Sequence, residues 1–374
     1  MRIHINGSGS ISAAGNRAAA AAVYRSGAPT WSKDEATGLP VYRNEDRPIT
    51  PAKLTEFIER TRPDRATQLA LVAAEDTVAQ AGWRGEDFAI IVGCSRGPTT
   101  SWEREYDFFQ EQGTARARTS PQTTLGGIGF ALAGYFGTHS LASSLSVTCS
   151  SGFHGLLHGV ALLNSGMVDR VLVGGAEAPL TGFTLAQMQA LRIYAGIPER
   201  GQHACRPLAQ PHSGMVIGEG AAFFALSRVG EAHHPIITGL GFSREKTTSA
   251  TSISGGGTGL QLAMRAALGS GFKVPDLIVA HAPGTKRGDA AEREAINQVL
   301  GEAALDRTFS GKWATGHTFG ASGPLGLDLA LSYLGAAAGA KVGTGTLPTN
   351  VRSALINATG FGGNVVSLRV EQGE

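Results

Sequence analysis

The chain has 374 residues, of which 17% are charged and 42% hydrophobic, with a formal net charge of +2. That length is compatible with two domains or one duplicated unit, at about 100–200 residues per domain. The near-neutral charge argues against a nucleic-acid partner, and no apolar run approaches the roughly 18 residues of a membrane span. The start, MRIHINGSG, has neither the basic opening nor the apolar stretch of a secretory signal, which points to the cytoplasm.

In chain order, RIHING reads as a first strand, and residues 15 to 50, with Pro29, Pro40 and Pro48, read as surface loop and short helix. DRATQLALVAAEDTVAQAG has the spacing of a helix stopped by Gly82. FAIIVGCSRG is a buried strand running into a turn, and SSLSV alternates like a half-buried strand. After it, Phe153, Leu156, Leu157 and Val160 recur on one helix face, so a helix is expected from Ser151 to Leu163. DRVLVGGAEA follows as a strand ending at Glu177. Strand, helix, strand is the βαβ pattern of a parallel sheet covered on both faces. GEGAAFFALS is a further strand, and the polar stretch Gly230 to Pro235 marks a boundary. PIITGLGF, LQLAMRAAL, DLIVAHAPGT, AAEREAINQVL, LGLDLALSYLG and VVSLRV then repeat the strand and helix order. The 52 glycines fall between periodic segments and read as tight turns and close approaches.

Cys94, Cys149 and Cys205 form no CxxC pair and no metal-ligand spacing, so neither a disulfide framework nor a metal site is expected. Cys149, in VTCSSGF, falls at or just before a helix start. There, free N–H groups and the helix dipole favour a thiolate and predict a lowered pKa; the alternative for a lone cysteine is a buried structural residue. His281 ends the strand DLIVAH before a Pro-Gly turn, and His317 lies in the turn ATGHTFGASG that opens a helix. One thiol with two such imidazoles suits acyl transfer, with the imidazoles handling protons or steadying an enolate. No phosphate-cradling G-x-x-x-x-G-K-[ST] is present.

Ordered blocks across nearly the whole chain resemble the β-ketoacyl synthases: TCSSG, GGAEAPLT, CRPLAQPHSGMVIGEGA, AHAPGTKRGDAAE, KWATGHTFGASG and GFGGN. The resemblance implies a duplicated thiolase-type α/β fold of five layers, αβαβα, with residues 1–228 carrying the nucleophile and 229–374 both histidines. It implies Cys149 as the nucleophile that takes an acyl chain from an acyl carrier protein. His281 and His317 then bind malonyl thioester and promote decarboxylation, for fatty-acid, polyketide or aryl polyene synthesis. Phe361 would gate the site and lend its N–H to an oxyanion hole, while Lys312 and Glu292 would orient the second histidine and the loops around it. Thr285 and Thr318 would contact substrate. No cofactor is implied beyond the phosphopantetheine that carries the substrates. The implied partners are an acyl carrier protein and a second ketosynthase or chain-length subunit, in a homo- or heterodimer.

Two departures stand out. Pro283 replaces the first threonine of the family's H-G-T-G-T, and Arg96 stands where small or apolar residues line the floor of the acyl pocket. A charge there is costly unless paired, and it suggests a pocket for a polar-ended, aryl or polyene chain. The alternatives are a non-catalytic chain-length partner subunit, which typically lacks the nucleophile, and an acyltransferase that does not decarboxylate.

Overall fold

The computed structural model describes residues 2–45, 51–246, 249 and 252–374. In the first half the strands are β1 (Ile3–Ser12), β2 (Ala89–Gly93), β3 (Ala142–Leu145), β4 (Arg170–Glu177) and β5 (Gly220–Ser227). In the second they are β6 (Ile236–Arg244), β7 (Leu277–Val279), β8 (Thr308–Phe309), β9 (Ser353–Thr359) and β10 (Asn364–Glu371). The first set pairs in the order β1-β5-β4-β2-β3 and the second in the order β6-β10-β9-β7-β8. Each half thus takes its strands in the sequence first, fifth, fourth, second, third. In both, three strands pair in parallel and the last two join through successive antiparallel pairings, so that one strand of the five runs against the rest. The fold is duplicated in topology where the sequence offers only a weak internal likeness. A short antiparallel contact, Ile3 with Ile237 and His4 with Ile236, joins the two sheets.

The helices form the layers. We label α1 (Arg17–Ser26), α2 (Arg65–Gln80), α3 (Thr99–Gln112), α4 (Gly127–Phe136), α5 (Ser151–Asn164), α6 (Gly182–Ala190), α7 (Thr258–Leu268), α8 (Lys286–Leu300) and α9 (Ser322–Tyr333). Helices α2 and α4 cover the outer face of the first sheet, α7 packs on the outer face of the second with α8 against it, and α5 and α9 lie between the sheets. Strand alternation feeds these layers. Ile91, Val173 and Phe224 face the central helices, whereas Ile90, Val92, Leu172 and Phe223 face the outer ones. Helix α5 sends Phe153, Leu156, Val160 and Leu163 into the central core. Each such side chain contributes about 1.5–3 kcal/mol of burial. This is the five-layer αβαβα arrangement.

Two expectations need correction. Residues 15 to 45 are not all surface: α1 seats Tyr24, and the following loops bury Val41 and Tyr42, all fully enclosed. Residues 46–50 lie outside the described residues. Strand β9 is also absent from the sequence reading, because Asn357 interrupts its apolar run. No helix among the described residues is long and apolar enough to cross a membrane.

The centre is tight where α5 meets the turn before α9. A Cβ added at Gly152 would lie 2.4 Å from Pro324 Cγ and 2.6 Å from the Gly320 carbonyl. Backbone cannot yield as a flexible side chain does, so Gly152→Ala should cost about 1–3 kcal/mol of unfolding free energy. Urea denaturation tests this, and an unchanged midpoint would contradict the packing.

Candidate active site

Cys149 occupies the elbow between β3 and α5, two residues ahead of the first helical residue. Thr148 turns the chain with φ of 51°, a left-handed conformation that a β-branched residue adopts only under constraint. Its carbonyl accepts from Ser151 Oγ at 2.5 Å, and its own hydroxyl donates to the Phe361 carbonyl at 3.1 Å. The Phe361 loop can lie this close because residue 360 is glycine: a Cβ there would stand 2.2 Å from Thr148 Oγ1. As a result the N–H groups of Cys149 and Phe361 both approach the sulfur. Two convergent N–H donors can receive a developing oxyanion. Phe361 is 39% exposed, so it is not a core phenylalanine.

The expected lowering of the Cys149 pKa does not occur. Burial, with the nearby Glu177 carboxylate second, pushes the thiol up to about 12; Lys312 and the two N–H groups pull the other way. The favourable partial charge of one helix end is outweighed by loss of water around the sulfur. Cys205 is likewise raised to about 12, chiefly by burial, and Cys94 is raised well above the ordinary range. Resting Cys149 is therefore a neutral thiol that needs a base.

Two bases adjoin it. Cys149, His281 and His317 line one cavity of about 550 Å³ with Pro283, Thr285 and Phe361. The imidazole centroids are 5.1 Å apart at an interplanar angle of 84°. Burial first, then the Lys312 charge, holds both histidines well below the usual imidazole range, so both are neutral. His317 Nδ1 engages the Ser322 hydroxyl at 2.9 Å, which leaves Nε2 for other partners. The His317 backbone pairs with the first half: its N–H donates to Val216 O at 2.7 Å, and its carbonyl accepts from Gly218 at 3.2 Å. The block GMVIGEGA thereby reaches the histidine of the other half.

Glu292 and Lys312 bond the backbone of the first histidine, where the resemblance implied that they orient the second; Lys312 acts on His317 through its charge. The Glu292 carboxylate accepts the N–H groups of His281 at 2.9 Å and Ala282 at 2.7 Å, plus Asn357 Nδ2 at 3.1 Å. Lys312 Nζ donates to the His281 carbonyl. The reason is topological: Glu292 is on α8, which follows His281 directly. Thr318 also departs from expectation. It is fully buried, its hydroxyl sits 3.2 Å from Ser322 Oγ, and it does not line the cavity. Thr285 lines the cavity. Arg96 lies on a second cavity that also reaches Cys149.

Glu177, read from sequence only as a strand end, is the residue that pattern reasoning missed. Fully buried, it accepts N–H groups from Ser95 at 2.7 Å, Arg96 at 3.0 Å and Gly320 at 3.0 Å, and the Cys94 thiol donates to it at 3.4 Å. Burial still wins over these four donors and raises its carboxyl to about 7. Its only signal was an acidic residue closing an apolar strand.

Alkylation of Cys149 by iodoacetamide, located by peptide mass, should rise about tenfold per pH unit between about pH 7.5 and about pH 9.5. A plateau near neutrality would mean that the thiol is depressed after all. Glu177 holds its proton more tightly folded than unfolded, so its contribution to stability is complete below about pH 4.5 and declines as pH rises through about 7. Relative to Glu177→Gln, the native protein should lose up to about 3 kcal/mol across that window. Urea denaturation at each pH reads the difference, and a gap that stays constant with pH would refute the shift.

Residues 45–232 match the family Beta-ketoacyl synthase, N-terminal domain, and residues 234–338 match Beta-ketoacyl synthase, C-terminal domain. The tetracenomycin polyketide synthase ketoacyl synthase alpha subunit of Streptomyces glaucescens is 30% identical over 289 residues, 71% of this chain and 67% of that protein. Among solved structures, that of a ketosynthase in complex with its chain length factor from Xenorhabdus doucetiae aligns with a TM-score of 0.82 at 24% identity, covering 99% of this chain and 98% of the other. A type II polyketide synthase acyl-carrier protein in complex with its ketosynthase bound to the hexaketide gives 0.85 at 19% identity, covering 99% of both. These structures show the thiolase-type fold, and the family matches span both halves of the site. The chain belongs to the β-ketoacyl synthases, a family of acyltransferase-type enzymes.

Proposed function

We propose that the protein catalyses decarboxylative Claisen condensation, with Cys149 as nucleophile and His281 and His317 as the pair that handles malonyl thioester. The observation that carries this reading is the meeting of one thiol and two neutral imidazoles in a single cavity. In the first step the Cys149 sulfur attacks the thioester of an acyl carrier protein. The thiol proton passes to an imidazole and then to the departing carrier thiol. The N–H groups of Cys149 and Phe361 hold the oxyanion. In the second step the C–C bond to the malonyl carboxylate breaks and carbon dioxide leaves. The electron pair becomes an enolate, which neutral imidazole N–H groups stabilise at the thioester oxygen. Its carbon attacks the acyl group, a new C–C bond forms, and the Cys149 sulfur leaves as a thiolate that takes a proton from solvent through an imidazole.

Glu292 and Lys312 serve by fixing His281, whose backbone they hold from both sides. Lys286 and Arg287, exposed on the cavity rim, offer cations to the phosphate of a phosphopantetheine arm. The partners in this reading are an acyl carrier protein and a second ketosynthase or chain-length subunit; the complexes of the fold relatives support both. The reading also divides the chain into halves at 228/229, a division supported by the repeated strand order.

Intact mass after incubation with an acyl-carrier-protein thioester should report an acyl adduct on Cys149. Addition of malonyl carrier protein should then discharge it with release of carbon dioxide. Absence of the adduct would favour a chain-length partner subunit. An adduct discharged without carbon dioxide would favour plain acyl transfer.

A further inference from the structure

After the apolar strand β2, the chain turns through Cys94, Ser95 and Arg96, and the arginine enters a second cavity of about 550 Å³. This cavity and the first share Cys149, Met188, Phe319 and Phe361. A chain bound to the Cys149 sulfur can therefore extend into it. Its wall carries Trp102, Tyr106 and Phe183, aromatic side chains that are otherwise exposed.

The Arg96 backbone is anchored beside this space, because its N–H is bonded to the buried Glu177 carboxylate at 3.0 Å. A guanidinium has five N–H donors. Here Nη2 donates to Gln187 Oε1 and the plane approaches the Phe319 ring, 5.9 Å from Cζ to centroid. Nε is buried and has no partner. No carboxylate of the described residues pairs with the cation. Glu103, on the same cavity, accepts from the Thr181 hydroxyl at 2.6 Å. A buried donor left unmade is costly, and a saturated chain filling the cavity would exclude the water that could otherwise satisfy the remaining donors. An oxygen on the chain would answer them.

We propose that Arg96 is a specificity-determining residue that reads an oxygen acceptor, keto or carboxylate, on the acyl chain carried by Cys149. The protein then selects oxygenated chains over plain hydrocarbon ones. The inference rests on the acyl-carrying role of Cys149. It is tested with three pantetheine thioesters of equal length: nonanoyl, 8-oxononanoyl and the half-thioester of nonanedioic acid. Acylation of Cys149 is followed by intact mass. The native protein should favour one or both oxygenated chains by about tenfold or more in kcat/KM, equivalent to about 1.4 kcal/mol. Arg96→Met should abolish that preference and accelerate the nonanoyl chain. Arg96→Gln, a polar replacement, guards against a folding defect in Arg96→Met and should also lose the preference. Equal rates for all three chains in the native protein overturn the proposal, as does a preference that survives both substitutions. So does a uniform slowing of all chains in the variants, which would make Arg96 merely structural. If no chain acylates Cys149, the condensing role is what fails. Calorimetry then decides the inference: nonanedioate binding tighter than nonanoate, and lost in Arg96→Met, sustains it, whereas equal affinities end it.

Discussion

The Glu177 carboxylate is the interaction on which the site depends. It closes β4 in the middle of the molecule and takes N–H groups from Ser95 and Arg96 at the end of β2 and from Gly320 in the turn before α9. A single buried side chain thereby ties the floor beneath Cys149 to the loop that carries His317, across the boundary between halves. The cost is electrostatic. The same carboxylate helps hold the Cys149 thiol in its neutral form, and burial leaves Glu177 itself near neutrality in its affinity for a proton.

A second buried hub does for His281 what Glu177 does for the nucleophile. Glu292 receives two successive backbone N–H groups and the Asn357 amide, Asn357 accepts from Ser367, and Lys312 holds the His281 carbonyl. Charges are thus spent on backbone, and the imidazoles facing the cavity stay neutral. Neutral imidazoles beside a neutral thiol can accept a proton or donate one to an oxygen without a buried charge in the resting state. Asn357 also explains a gap in pattern reading: it interrupts the apolar run of β9 because it is a partner of Glu292, so a functional contact hid a strand.

Each piece of the site was legible in place because it is local, whereas their joining into one site followed from the resemblance carried by ordered blocks along the chain. Cys149 before a helix, His281 after a strand and His317 in a small-residue turn each follow from a few neighbouring residues. Glycines at 152 and 360 mark places where backbone meets backbone. Other features were not legible because they depend on partners distant in the chain. Thr318 looked available beside His317 but is turned toward Ser322, and Tyr24 and Tyr42 looked superficial but fill the spaces under the loops of the second half.

By itself, then, the sequence determined most of the elements and their order, since periodicity and turn chemistry act over a few residues, and its ordered blocks singled out the thiol and the two imidazoles. Only the tertiary structure decided the protonation states, because desolvation depends on everything packed around a group and reversed the pKa direction expected at Cys149. It alone also assigned Glu292 and Lys312 to His281, and set Arg96 on the cavity that opens from Cys149.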